Sequence, residues 1–183
     1  MGLDSTRIAG VYISRLEPIH DDRGSFTRTF DASEFIATGL DPTVAQASVS
    51  RNTSKGTLRG MHLQREPHGE TKLIRCLRGG VFDVAVDLRP QSGTYGEWIS
   101  FTLAEDDGLA IVLAPGIAHG FVTLTDAVEL SYQISTPYRP DAAIGFRWDD
   151  PDVGIDWPLE PAVVSSRDQT LPLLAELNQR MST

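Results

Sequence analysis

Short apolar runs that alternate with polar residues, each ended by glycine, proline or aspartate, recur along this 183-residue chain and constrain its fold more than any other feature. A period of two is the side-chain period of a β-strand, whereas a helix repeats its apolar positions every three to four residues. The clearest run spans residues 81–88, where Phe82, Val84, Val86 and Leu88 share one face and Asp83 and Asp87 share the other. The same grammar predicts strands at 10–16, 25–30, 57–63, 72–77, 98–103, 110–113, 121–124 and 128–135. So many strands leave exposed edges unless the sheets close up or pack face to face. The expected fold is therefore mainly β, a jelly-roll or β-barrel. Helix is minor, with a short segment at 32–38 behind a candidate Asp31 N-cap and a terminal one at 172–180.

The chain has no linker or composition break, which predicts a single domain over residues 1–183. It is 40% apolar and 22% charged, too polar for a membrane span, and its first residues lack the pattern of a secretory signal. A cytoplasmic location is expected. Cys76 is the one cysteine, which fits a reducing compartment and reads as a small buried side chain. A net charge of −9 disfavours nonspecific contact with nucleic acid or anionic membranes. An anionic small ligand needs only a local cluster of cations, and total charge does not speak against that.

Chemistry-bearing residues gather in four segments. In 55–64, simple alternation sends Arg59 and His62 to opposite faces, unless Gly60 hosts a bulge that shifts the pleat by one. His62 alone reads equally as a hydrogen-bonded interior histidine. In 72–76, Lys72 alternates with Ile74 and Cys76 along a face that otherwise looks buried, where a lysine needs an anionic partner or a path to solvent. At 114–121 a Pro115-Gly116 turn delivers His119 to the start of a strand, as a surface residue or a site residue. In 128–134, Tyr132 shares its face with Val128, Leu130 and Ile134, so its hydroxyl is expected inside and in need of a partner. A metal centre is not expected. The residue two after His62 is Gln64, a poor ligand, which leaves only His62 and His119 as plausible ones. His20 and His68 lie in polar, loop-like sequence.

The ordered series Asp21-Asp22-Arg23-Gly24, Leu58-Arg59-Gly60-Met61-His62, Lys72-Leu73-Ile74-Arg75, 80–89 and 115–121 closely resembles the dTDP-4-dehydrorhamnose 3,5-epimerase family. The likeness continues through Tyr132, Tyr138, Arg147-Trp148-Asp149-Asp150-Pro151 and Gly154-Ile155-Asp156-Trp157-Pro158, covering roughly residues 10 to 170. The resemblance implies a dimeric, cupin-type jelly roll that works on a nucleotide-sugar without metal or organic cofactor. By it His62 is the base, Asp168 holds and polarises it, and Tyr132 is the proton donor on the opposite face. Lys72 would sit near the sugar ketone, Arg23, Arg59 and His119 would line the nucleotide-sugar cleft, and Tyr138 would stack on the base.

That chemistry requires those residue types. A hydrogen beside a ketone is only weakly acidic, and removing it places negative charge on the ketone oxygen as an enolate. A well-placed donor such as Lys72 is worth about 3–4 kcal/mol there. Histidine supplies a base suited to neutral pH, and inversion needs a second group to return the proton from the other side of the ring. The chain also departs from the family. Most members read Gln-Asp-Asn where this chain has Gln46-Ala47-Ser48, Arg28 stands where glutamate is usual, and Arg167 where lysine is common. With Arg28, Gln46, Ser48 and Arg167 at recognition positions, these changes bear on which sugar, nucleotide or number of centres is handled. The alternatives are an epimerase acting at C3 or C5 only, a noncatalytic nucleotide-sugar binding module and, lacking ligands, a metal-dependent cupin oxygenase.

Overall fold

A computed structural model describes residues 1–181. In chain order the strands are β1 (Gly2–Ser5), β2 (Val11–Arg15), β3 (Ile19–Asp21), β4 (Gly24–Phe26), β5 (Gln46–Asn52), β6 (Thr57–Gln64) and β7 (Lys72–Arg78). They continue with β8 (Gly80–Asp87), β9 (Trp98–Ala104), β10 (Leu109–Leu113), β11 (Ile117–Thr123), β12 (Val128–Ile134), β13 (Ala143–Gly145) and β14 (Val163–Val164). The helices are α1 (Ala32–Ala37), α2 (Ser166–Gln169) and α3 (Leu174–Met181). Asp31 caps α1 as the sequence predicts, accepting from Ser33 N.

Two large sheets face each other. The first runs β1-β2-β10-β7-β12-β5, and the second runs β13-β6-β11-β8-β9 with β14 added in parallel to β6. Strands close in sequence alternate between the sheets, as in β6, β7 and β8, which is the jelly-roll arrangement. The sheets pack as two layers and do not close into a barrel. Between them lies the main core, with Ile74, Ile111 and Leu130 of the first sheet meeting Val81, Leu103 and Phe121 of the second. Each such side chain contributes about 1.5–3 kcal/mol through burial.

Both sheets are also covered on their outer faces. Met61, Val84, Val86 and Ala118 of the second sheet pack against Phe146, Leu174 and Leu177, while Leu73, Ala110 and Val112 of the first pack with Phe35 and Leu40. Strand β8 is thus buried on both sides, and its aspartate face, shared with Val81 and Ala85, is the one turned into the core. Asp83 and Asp87 are both fully buried. Leu174 N donates to the buried Asp150 carboxylate at 2.7 Å, which anchors the start of α3 close to the predicted terminal helix.

Several expectations need correction. The run at 25–30 forms strand only at Gly24–Phe26, in a two-stranded hairpin with β3 that joins neither large sheet. Strand β11 begins at Ile117, earlier than the predicted 121, so His119 is mid-strand. Strand β5 was not anticipated, because Gln46–Asn52 is largely polar and exposed and becomes a strand only by pairing its backbone with β12 at the sheet edge.

Candidate active site

Strand β6 sets the site. In its pairing with β11, His62 faces His119 and Arg59 faces Phe121, so three steps on β6 match two on β11. This is the bulge that Gly60 makes possible. Gly60 has φ 148°, and a Cβ there would lie 2.7 Å from the Gly120 Cα, so no other residue fits without backbone movement. Met61, the extra residue, exchanges backbone hydrogen bonds with Phe146, N to O at 3.1 Å and O from N at 3.2 Å. The shift turns Arg59 and His62 to the same side, where both line a cleft of about 730 Å³.

One wall of this cleft comes from the second sheet and the segment that follows β14. Residues 165–168 read Ser-Ser-Arg-Asp, and the Ser165 hydroxyl caps α2 by accepting from Asp168 N at 3.1 Å. The cap fixes the Asp168 side chain beside β6. Its carboxylate accepts from Gly60 N at 3.3 Å and lies 2.7 Å from His62 Nε2. Burial pushes the Asp168 carboxyl up, but the His62 hydrogen bond and charge outweigh it and hold the carboxyl below its ordinary range. A carboxylate only accepts, so the His62 proton belongs on Nε2 and Nδ1 is left bare. Among the described residues Nδ1 has no hydrogen-bond partner.

The opposite wall comes from the first sheet. Lys72 Nζ, nearly buried, lies 2.9 Å from the Glu70 carboxylate and donates to the His62 carbonyl at 3.2 Å. Of the two readings the sequence left for Lys72, the buried one with an anionic partner is the one found. Tyr132 lies on β12, its ring edge-on to His119 at 5.9 Å. Burial and the nearby Asp83 carboxylate raise the Tyr132 phenol well above its ordinary value, so it stays protonated at neutral pH. Behind it His119 Nε2 lies 2.9 Å from the Asp83 carboxylate in a buried pair, and burial raises the Asp83 carboxyl despite the pull of His119.

Gln46, Ser48, Arg59, Tyr138 and Arg167 also line the cleft. Gln46 Oε1 accepts from Tyr138 N at 2.7 Å, and Arg59 Nε donates to Asn52 Oδ1 at 2.8 Å, so two of the lining side chains are braced. Ala47 does not line the cleft, so Ser48 alone of the two altered positions faces it. Arg23 and Arg28, predicted to lie at the cleft, do not. Arg23 pairs with Asp21 at 2.5 Å and Arg28 with Asp31 at 2.8 Å, both exposed, on and beside a β3–β4 hairpin that pairs with neither large sheet.

Sequence reasoning missed Glu70, Asp83 and Arg51. Glu70 was legible as the period-two neighbour of Lys72, whereas Asp83 required knowing that both faces of β8 are buried. Arg51 lines the cleft from β5, the unanticipated edge strand. The cleft's charged lining is then Arg51, Arg59, Lys72 and Arg167 against Glu70 and Asp168, a local cationic excess inside a chain of net charge −9. Gln64 is occupied elsewhere, its amide donating to His68 O and accepting from Arg139 N. Among the described residues no three His, Cys, Asp or Glu side chains converge as metal ligands. Burial raises the Cys76 thiol to about 11, which makes it a core residue and a poor nucleophile.

A histidine paired with a carboxylate on one sheet therefore shares the cleft with a protonated phenol and an ammonium from the other. The family description dTDP-4-dehydrorhamnose 3,5-epimerase matches residues 5–176. The chain belongs to that family of epimerases. A dTDP-4-dehydrorhamnose 3,5-epimerase of Sinorhizobium fredii is 40% identical over 178 residues, 97% of this chain and 91% of the relative. Among solved structures, a 4-keto-6-deoxy sugar epimerase from the novobiocin biosynthetic gene cluster of Streptomyces spheroides superposes with a TM-score of 0.92 at 38% identity, over 98% of this chain and 90% of that one. A 3'-monoepimerase from Streptomyces bikiniensis, in complex with dTDP-quinovose, gives 0.89 at 34% identity, over 96% and 89%. Membership makes the enzyme an isomerase and agrees with the mainly β jelly roll.

Proposed function

We propose that this protein epimerises a nucleotide-linked 4-keto-6-deoxy sugar of the dTDP-4-dehydrorhamnose type, using its own side chains without a metal or organic cofactor. The observation that carries the reading is the placement of His62 and Tyr132 on facing sheets of one cleft. His62 Nδ1 takes the proton from the carbon beside the ketone, and the electron pair of the C–H bond moves into an enolate. Lys72 bears on the negative charge that forms on the ketone oxygen. Tyr132 then gives its proton to the opposite face of the carbon, which completes the inversion. Asp168 keeps His62 in the productive tautomer and stabilises it once it is protonated. The cationic lining from Arg51, Arg59 and Arg167 supports binding of a diphosphate, with Tyr138 beside the base.

Proton NMR in deuterium oxide with dTDP-4-keto-6-deoxyglucose tests this. Deuterium at C3 and C5 is the expected result, and no uptake, or uptake unaffected by His62→Ala, contradicts the reading. A single-centre reaction is the second reading, favoured by the monoepimerase relative and by Ser48 in the cleft, and deuterium at one carbon alone selects it.

A homodimer in the cytoplasm completes the proposal. Ile19 and Phe26 of the β3–β4 hairpin are each 73% exposed, a cost that a second copy removes, and across such an interface Arg23 and Arg28 would reach the neighbouring cleft. A light-scattering mass near the monomer's 20.0 kDa contradicts it.

A further inference from the structure

Glu70 stands two residues before Lys72, on the same side of the chain that enters β7. Its carboxylate lines the cleft at 2.9 Å from Lys72 Nζ, and the two side chains are 10% and 9% exposed. Among the described residues Glu70 is the one carboxylate within ion-pair distance of that ammonium. The His62 carbonyl accepts from the same Nζ at 3.2 Å. An ammonium has three N–H donors on a flexible four-carbon stem. With one directed to Glu70 and one to the backbone of the base itself, the third has a fixed direction.

We propose that Glu70 is a positioning residue for the reaction, orienting the Lys72 ammonium so that its remaining N–H meets the ketone oxygen as the enolate forms. The proposal rests on the reading of the cleft given above. Glu70 touches no reacting atom in this scheme. It acts through Lys72, whose place it fixes relative to His62, so that proton removal and charge stabilisation occur at set positions on one substrate. A preorganised donor needs no reorientation during the reaction, whereas an ammonium free to turn must be ordered each time.

Two variants and two readouts test this. Glu70→Ala removes the acceptor, and Glu70→Gln keeps an acceptor oxygen of nearly the same shape. In the deuterium exchange assay Glu70→Ala is expected to lower kcat by about tenfold to a hundredfold, with Gln recovering most of it and KM within about twofold in both. Wild-type kcat in Glu70→Ala, failure of Gln to recover the loss, or a KM that rises in step with the fall in kcat overturns the proposal. The second readout needs no turnover. In lysine-labelled, ligand-free protein the nitrogen-15 signal of the Lys72 ammonium is expected to exchange slowly in the wild type and in Glu70→Gln, and to be lost in Glu70→Ala. An identical signal in all three overturns it. If the wild type exchanged no 4-keto sugar, the epimerase reading would fail while this signal still decided the role of Glu70.

Discussion

Replacing Asp168 with asparagine removes one charge from the His62 pair while keeping the side chain's shape. The carboxylate is 3% exposed and lies 2.7 Å from His62 Nε2. A hydrogen bond to a charged acceptor is worth about 1.5–3 kcal/mol, which is about 10- to 150-fold in rate if it is lost where His62 becomes protonated. A second effect adds to the first. The asparagine amide can offer its own N–H to Nε2, which moves the imidazole proton to Nδ1 and disables the atom that takes the substrate proton in the proposed reaction. Together these predict a fall in kcat of about a hundredfold to ten-thousandfold, with little change in the affinity for the nucleotide-sugar. The assay is the initial rate of deuterium uptake by proton NMR, alongside thermal unfolding to establish that the variant is folded. A folded Asp168→Asn protein whose kcat stays within about threefold of wild type would refute the reasoning, because the pair would then contribute no more than an ordinary neutral hydrogen bond.

Tyr132→Phe should uncouple exchange from inversion, since His62 still removes and returns the proton on one face; NMR should show deuterium uptake with retained configuration and inversion reduced about 10²–10⁴-fold. Unchanged inversion would exclude Tyr132 as the donor. Gly60→Ala should destabilise the protein by about 2–4 kcal/mol, from the strained φ and the 2.7 Å approach to Gly120 Cα, as read by urea denaturation. A cost below about 1 kcal/mol would mean that the bulge relaxes freely. At Asp87, burial raises the carboxyl but hydrogen bonds from Arg89, Ser92 and Thr94 outweigh it and lower it from 3.8 to about 2. The stability this gives is present above the ordinary carboxylate range and lost as pH falls through the folded value. Asp87→Asn should therefore cost about 2 kcal/mol near neutral pH and flatten the stability profile between about pH 4 and 2, and equal acid sensitivity in both proteins would contradict it.

The alternation of residue types in β8 and β12 and the short apolar runs of β7, β9 and β10, each ended by turn residues, made the mainly β fold legible, although β8 and β10 turn out to be buried on both faces. Strand β5 was not legible, since polar residues at an edge carry no such signal and only the ladder with β12 makes them a strand. The site divides in the same way. The ordered motifs marked His62, Lys72, Tyr132 and Asp168, and Gly60 marked the place where a bulge could lie. Arg23 was placed at the cleft by the same motifs and Arg28 as a departure from the family at a recognition position, yet they stand on and beside a hairpin that joins neither large sheet.

Residue types and their order thus determined the fold class, the family and the chemistry its side chains can support, because these depend on local periodicity and on functional groups. Tertiary structure decided which groups meet. The His62–Asp168 contact joins residues 106 positions apart, and the His119–Asp83 pair depends on the aspartate face of β8 being the inner one. Contacts of this kind follow from the register of several strands at once. A one-residue bulge at Gly60 settles whether Arg59 and His62 share a cleft, and a local pattern can permit that bulge without requiring it.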